Sequence, residues 1–185
     1  MEIEPAKASR VRLVALDVDG VLTDNGIWIG PVAGERVELK RFDIQDGLGM
    51  RLLSTAGIPV IWVSGRHSEA TALRAAELRV DELLQVPGPD KLAALGELLA
   101  RRGLPWEAVA YVGDDLADLQ VMRRAGLPIA VANAVPEIRA VADRVTAAPG
   151  GHGAVREIAD ALLKARGVWP EMIERYFTEP ARQDV

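Results

Sequence analysis

Two rhythms of apolar and polar positions alternate along the chain. Val11-Arg12-Leu13-Val14-Ala15-Leu16 is a short apolar run rich in Val and Leu, the pattern of a strand buried on both faces. Pro59–Val63 and Ala108–Val112 repeat it, and Glu82–Val86, Pro128–Ala132 and Asp143–Thr146 are shorter versions. Between these runs the spacing turns helical. Gly47–Ala56 carries Leu48, Leu52 and Leu53 and is closed by Gly57; Ser68 caps a helix to Leu78, with Glu69 in its first turn. Asp90 caps Lys91–Arg102, a helix follows Gly113-Asp114-Asp115 to Ala125, and Gly150-Gly151-His152-Gly153 opens a helix over Ala154–Arg166. Ile27-Trp28-Ile29 and Val37–Lys40 alternate about Gly30–Gly34, which predicts a projecting hairpin. Residues 1–9 read as a frayed leader and Pro87-Gly88-Pro89 as a turn. Strands and helices interleaved from end to end predict an α/β fold with a parallel sheet. One domain is expected, with a core over 10–168 and a tail over 169–185.

Composition narrows the chemistry. Hydrophobic residues make up 49% of the 185 positions but aromatics only 4%, so Ala, Val and Leu must do most of the packing, which suits helices lying on a sheet. A net charge of −5 without a long basic run argues against nucleic acid or an anionic membrane as partner. With no cysteine, disulfides, thiol catalysis and thiolate metal sites are excluded. Two histidines, His67 and His152, do not furnish a multi-histidine zinc site. Met1-Glu2-Ile3-Glu4-Pro5 lacks a charged-then-apolar leader and no run reaches membrane-spanning length, so a cytoplasmic protein is expected.

The first apolar run ends in Asp17-Val18-Asp19. Alternation puts both carboxylates on the same side of the chain, and acids that close repel unless a cation or a shared proton lies between them. A buried strand ending this way calls for a metal. In open parallel sheets ligands bind beyond the carboxyl ends of the strands. Ser64 and Arg66, then Asp114 and Asp115, end two further strands, and Lys91 starts a helix after another. Four separate segments thus deliver polar groups to one edge.

These residues carry a resemblance. Asp17-x-Asp19-Gly20-Val21, Ser64-Gly65-Arg66, Lys91 and Gly113-Asp114-Asp115-x-x-Asp118 resemble, in order, the four motifs of the haloacid dehalogenase superfamily of phosphohydrolases. From about Arg10 to Val168 the likeness is closer. Phe42-Asp43-Ile44-Gln45-Asp46-Gly47, Ala110-Tyr111-Val112-Gly113-Asp114-Asp115 and Gly150-Gly151-His152-Gly153-Ala154-Val155-Arg156-Glu157 resemble the 3-deoxy-D-manno-octulosonate 8-phosphate phosphatases. That likeness implies a Rossmann-like parallel sheet with helices on both faces, no cap domain, and a β-hairpin after the first strand. It implies an aspartyl-phosphate on Asp17, acid and base work by Asp19, and Mg²⁺ held by Asp17, the Asp19 backbone carbonyl and Asp114. Asp115 and Asp118 would lie behind these ligands, Ser64 would bind a phosphoryl oxygen, and Lys91 would offset charge on Asp17. A phosphorylated sugar acid is the implied substrate, bound through Gly65, Arg66, Arg74, Arg51 and the loop Asp43 to Gly47, including Asp46. Arg is suited to grip the substrate carboxylate. Because no segment is long enough for a cap, a homotetramer with neighbours and C-terminal tails closing each site is implied.

Read singly, several of these residues have plainer meanings. Ser64 could be a turn residue, Lys91 a solvated lysine, Arg74 a surface charge and Asp118 a surface acid. Trp28 and Trp62 read as packing residues, and the glycine loop around His152 as a backbone device. The family often has Asn where this chain has Asp43, an added negative charge beside an anionic substrate. Two rivals share part of the pattern. A sialic-acid-type 9-phosphate is the alternative substrate. A non-hydrolytic phospho-accepting switch also combines acids, Mg²⁺, a hydroxyl and a lysine, but it phosphorylates an Asp on a later strand.

Overall fold

The computed structural model describes residues 1–87 and 90–178. Six parallel strands, β1 (Leu13–Leu16), β4 (Val60–Ser64), β5 (Glu82–Gln85), β6 (Val109–Gly113), β7 (Leu127–Ala130) and β8 (Arg144–Val145), form a sheet ordered β5-β4-β1-β6-β7-β8. β1 lies centrally, paired with β4 and β6. Every side chain of β1, β4, β6 and β7 is buried, which is why those segments read as continuous apolar runs. The order reverses on either side of β1, so its carboxyl end opens at the switch point where ligands are expected.

Helices cover both faces. α2 (Ile44–Thr55) packs on α7 (Ala154–Ala165) and α8 (Trp169–Thr178), with α3 (Glu69–Glu77) alongside α2 through Gly47, Arg74 and Leu78. α4 (Lys91–Arg102), α5 (Leu119–Met122) and α6 (Pro136–Val141) contact one another in turn. Between β1 and α2 the chain makes only the hairpin of β2 (Trp28–Val32) and β3 (Glu35–Leu39), turning through Ala33 and Gly34 at positive φ. Among the described residues no helix is long and apolar enough to cross a membrane.

Several expectations change. Residues 1–9 are not frayed: α1 (Pro5–Ala8) docks on α7, with Ile3 and Ala8 buried. α2 begins three residues earlier than its apolar spacing indicates, because the Asp43 side chain caps it by accepting from Gln45 N at 2.7 Å. The helix expected up to Ala125 is a 3-10 turn over Leu116–Asp118 followed by the single turn of α5. Asp118 folds back onto the N–H groups of Asp114 and Asp115, which tightens that start. Asp90 precedes α4 without a side-chain cap bond. The helix α6 is absent from the sequence reading, although Pro136 at its first turn was an available start signal. The turn placed at Pro87-Gly88-Pro89 lies in part outside the described residues. Trp62 is buried and stacks on Phe42 at 6.0 Å, whereas Trp28, expected as a packing residue, is 73% exposed.

Candidate active site

The carboxyl edge of the sheet gathers the acids. Asp17 follows β1 directly and its N–H is fixed to the Val112 carbonyl of β6 at 3.0 Å. Asp114 follows β6, and Asp118 lies one turn further on. One oxygen from each of these three carboxylates falls within 4.8 Å of the others. Lys91, at the start of α4 and only 2% exposed, sends its ammonium between Asp17 at 2.6 Å and Asp118 at 2.8 Å. Neither the solvated lysine nor the surface acid of the plain readings is found.

Asp118 is saturated. Its Oδ1 accepts from Lys91 and from the buried Tyr111 hydroxyl at 2.6 Å, and its Oδ2 accepts from the N–H groups of Asp114 and Asp115. That leaves Asp17 and Asp114 with oxygen to offer, and Asp114 Oδ1 is buried without a partner. Three carboxyl groups share one ammonium here, so two negative charges would go uncompensated with all three ionised. Burial, reinforced by the Asp118 carboxylate, pushes Asp17 well above the usual carboxylate range and Asp114 up to about 7. An open pair of hard oxygens with surplus negative charge suits a divalent cation such as Mg²⁺.

Glycines bring backbone into this cluster. Gly20, at φ +93°, presses on the Asp114 carboxylate where a Cβ would overlap it. Gly150 lies against the Gly20 carbonyl with equally little room, and Asn133 ties both by donating to Gly20 O at 3.0 Å and accepting from Gly150 N at 2.6 Å. The glycine loop thus meets the cluster through its backbone, and the His152 ring pairs with Gly150 O at 2.9 Å.

Asp19 points elsewhere. Its Oδ1 receives Lys40 Nζ at 2.6 Å, and its Oδ2 lies 3.9 Å from Arg66. Arg66 is itself held by Glu38, which takes both Nη atoms and the Ser68 hydroxyl. Those bonds, the Arg66 ones foremost, hold the Glu38 carboxyl down at about 2. Ser64, fully buried, donates to Arg66 O at 2.9 Å and accepts from Arg66 N, and Gly65 borders the Lys91 stem. Asp115 is exposed and caps its own turn through Leu116 N at 2.7 Å.

The remaining sequence-predicted residues do not join the acids. Asp46, in the first turn of α2, reaches across to the start of α7, accepting from Arg156 N at 2.8 Å, and burial pushes it up to about 6. Asp43 is engaged by the α2 N-terminus, a position that Asn fills equally well. Arg51 and Arg74 line a cleft of about 640 Å³ between α2 and α3 with Gly47 and Tyr176, and none of the acids at the sheet edge lines it. The sequence reading missed Glu38, Lys40, Tyr111 and Asn133. For Glu38 and Lys40 a signal existed: two residues apart on an alternating strand, they share a face.

A family model described as haloacid dehalogenase-like hydrolase matches residues 83–158. The chain is 46% identical over 162 residues to the 3-deoxy-D-manno-octulosonate 8-phosphate phosphatase KdsC of Escherichia coli K12, spanning 88% of this chain and 84% of that one. The crystal structure of the 3-deoxy-D-manno-octulosonate 8-phosphate phosphatase from Moraxella catarrhalis, in complex with magnesium, phosphate and KDO, superposes with a TM-score of 0.87 at 40% identity, covering 93% of this chain and 97% of that chain. The cobalt-bound deoxy-D-mannose-octulosonate 8-phosphate phosphatase of Haemophilus influenzae gives a TM-score of 0.80 at 34% identity, covering 91% and 99%.

Proposed function

The chain belongs to the 3-deoxy-D-manno-octulosonate 8-phosphate phosphatase family of haloacid dehalogenase-like hydrolases, and from that premise we propose that it hydrolyses 3-deoxy-D-manno-octulosonate 8-phosphate to the free sugar acid and phosphate, with Mg²⁺. The observation that carries the reading is the buried Asp17, held by Lys91 beside Asp114 at the carboxyl end of the central strand.

In this reading Asp17 attacks phosphorus in line, forming the aspartyl-phosphate as the bond to the sugar oxygen breaks. Asp19 gives that oxygen a proton and later takes one from the water that attacks the phosphoenzyme. Lys91 offsets charge that Asp17 shares with the transferring group, and Asp118 with Tyr111 keeps Lys91 aimed. Asp17, Asp114 and the Asp19 carbonyl would hold Mg²⁺, which when bound would neutralise phosphoryl charge. Ser64 contributes its hydroxyl to the phosphoryl group by turning from the Arg66 carbonyl.

Phosphate release over sugar-acid phosphates, simple sugar phosphates and a phosphopeptide tests the reading, with and without EDTA. Fast, metal-dependent turnover confined to the eight-carbon sugar acid is the expected result. Preference for a nine-carbon acid would move the substrate, and stable phosphate on Asp17 without turnover would move the class.

Metal binding has its own signature. An acid whose native pKa is raised leaves the native state holding a proton that the unfolded state has released, so stability falls as pH rises between the two values. Metal-free protein should therefore lose stability as pH climbs from the ordinary Asp range towards 7, the value to which Asp114 is pushed. Mg²⁺ needs the ionised form, so its stabilisation should grow over that window, reaching about 2.7 kcal/mol at a hundredfold excess over Kd. Thermal melts from pH 5 to 8 check this; an Mg²⁺ effect indifferent to pH would remove these carboxylates as ligands.

The assembly in this reading is a homotetramer. The supporting feature is a hairpin bearing exposed Trp28, Ile29, Val32 and Leu39, with Ile44 82% exposed beside its base. Light scattering should give about four chain masses, and a monomer mass would defeat closure by neighbours.

A further inference from the structure

Lys40 stands just past β3, on a hairpin whose apolar side chains lie open, yet its own side chain is 0% exposed. Its ammonium donates to Asp19 Oδ1 at 2.6 Å and to the buried Thr71 hydroxyl at 3.0 Å, and lies 3.9 Å from Glu38. A buried ammonium persists only when paired and hydrogen-bonded. Here its partners are themselves fixed: Glu38 by Arg66 and Ser68, Thr71 within α3 by its N–H to Ser68 Oγ. The antiparallel bridge between Thr23 and Phe42 closes the hairpin base around the lysine.

We propose that Lys40 is a positioning residue for Asp19, an inference that rests on the reading of Asp19 as the proton donor to the leaving oxygen. Asp19 is two residues from Asp17 yet stands outside the cluster of Asp17, Asp114 and Asp118. A carboxylate free to rotate beside that cluster would be drawn to any cation bound there. Lys40 holds Oδ1 on the hairpin side, which leaves Oδ2, with Arg66 at 3.9 Å its one ion-pair partner among the described residues, to face the substrate. The proton on Oδ2 passes to the sugar oxygen as its bond to phosphorus breaks, and the carboxylate so formed stays paired with the ammonium. In the second half water attacks the phosphoenzyme and returns a proton to Oδ2. Lys40 keeps its protons throughout.

The test compares a step that needs a proton with the same step when it does not. With enzyme in excess, a single turnover of the sugar-acid phosphate and one of p-nitrophenyl phosphate are followed in native protein, Lys40→Met, Thr71→Val and Asp19→Asn. Nitrophenolate departs unprotonated. In Lys40→Met, sugar release should slow about 100-fold, the scale of general-acid catalysis, while nitrophenolate release changes by less than about threefold and KM barely moves. Thr71→Val, which keeps the ammonium and loses only its anchor, should show the same split at about tenfold. Equal slowing of both substrates in Lys40→Met, or no slowing of either, overturns the positioning role. If Lys40→Met does not fold, absence of the split in Thr71→Val overturns it instead. A split in Asp19→Asn without one in the other two sinks this inference alone; equal slowing in Asp19→Asn removes the assignment of Asp19 beneath it.

Discussion

Asp17→Asn should abolish turnover, by at least about 10⁴-fold in kcat, without destabilising the metal-free protein. The activity loss follows from removing the atom that forms the covalent intermediate, because an amide oxygen is too weak a nucleophile for phosphorus. The stability result is the more telling half. Burial and the neighbouring Asp118 both work against the Asp17 charge, so the native site holds a carboxylate in surroundings that disfavour it. Asn fills the same space, removes that repulsion and leaves Lys91 its bond to Asp118. The melting temperature without Mg²⁺ should stay level or rise, while the rise on adding Mg²⁺ should shrink. Such opposition between stability and activity is usual where a site is strained for function. A large drop in metal-free stability would show that the Asp17–Lys91 pair holds the sheet edge together.

Lys91→Met should act in the opposite direction on stability. Lys91 is the only cation within reach of Asp17 and Asp118 among the described residues, and Met replaces its stem without its charge. Two buried carboxylates would then confront one another, with Tyr111 as the remaining side-chain donor to Asp118. Breaking a buried pair from one side costs about 3–5 kcal/mol. Activity should fall about 10³-fold, the scale on which a single preorganised charge or donor acts in a dry site. Melts with and without Mg²⁺ divide the two effects, since a cation in the site should recover part of the stability but not the rate. A variant as stable as native would mean that protonation of an acid already relieves the site.

The two variants bear on how much of the site was legible. The acids at strand ends were visible because a buried apolar run that stops at a charge is a one-dimensional signal. Asp17, Asp114 and Lys91 come together at the sheet edge, and the hairpin follows β1, though Gly30–Val32, read as part of the turn, pair with β3 as the end of β2. Asp118 and Lys91 were ambiguous because an acid or a lysine near a helix start looks the same whether solvated or buried. Only the Tyr111 hydroxyl arriving from β6, and the backbone N–H groups of Asp114 and Asp115, decide the matter. Arg66 shows the reverse. The resemblance implied that it binds substrate, and only the fold shows that Glu38 reaches it from the hairpin, across 28 positions of sequence.

The sequence by itself determined the α/β architecture and the edge at which charged groups collect, since periodicity of 2 and 3.6 is a local property read residue by residue. The tertiary structure decided which charges meet. Lys40 on Asp19, Glu38 on Arg66, and Arg51 with Arg74 in a cleft apart from the acids depend on how the hairpin folds over α3 and how α2 lies beside it. Ion pairs act through space over a few ångströms, and separation along the chain carries no record of that distance.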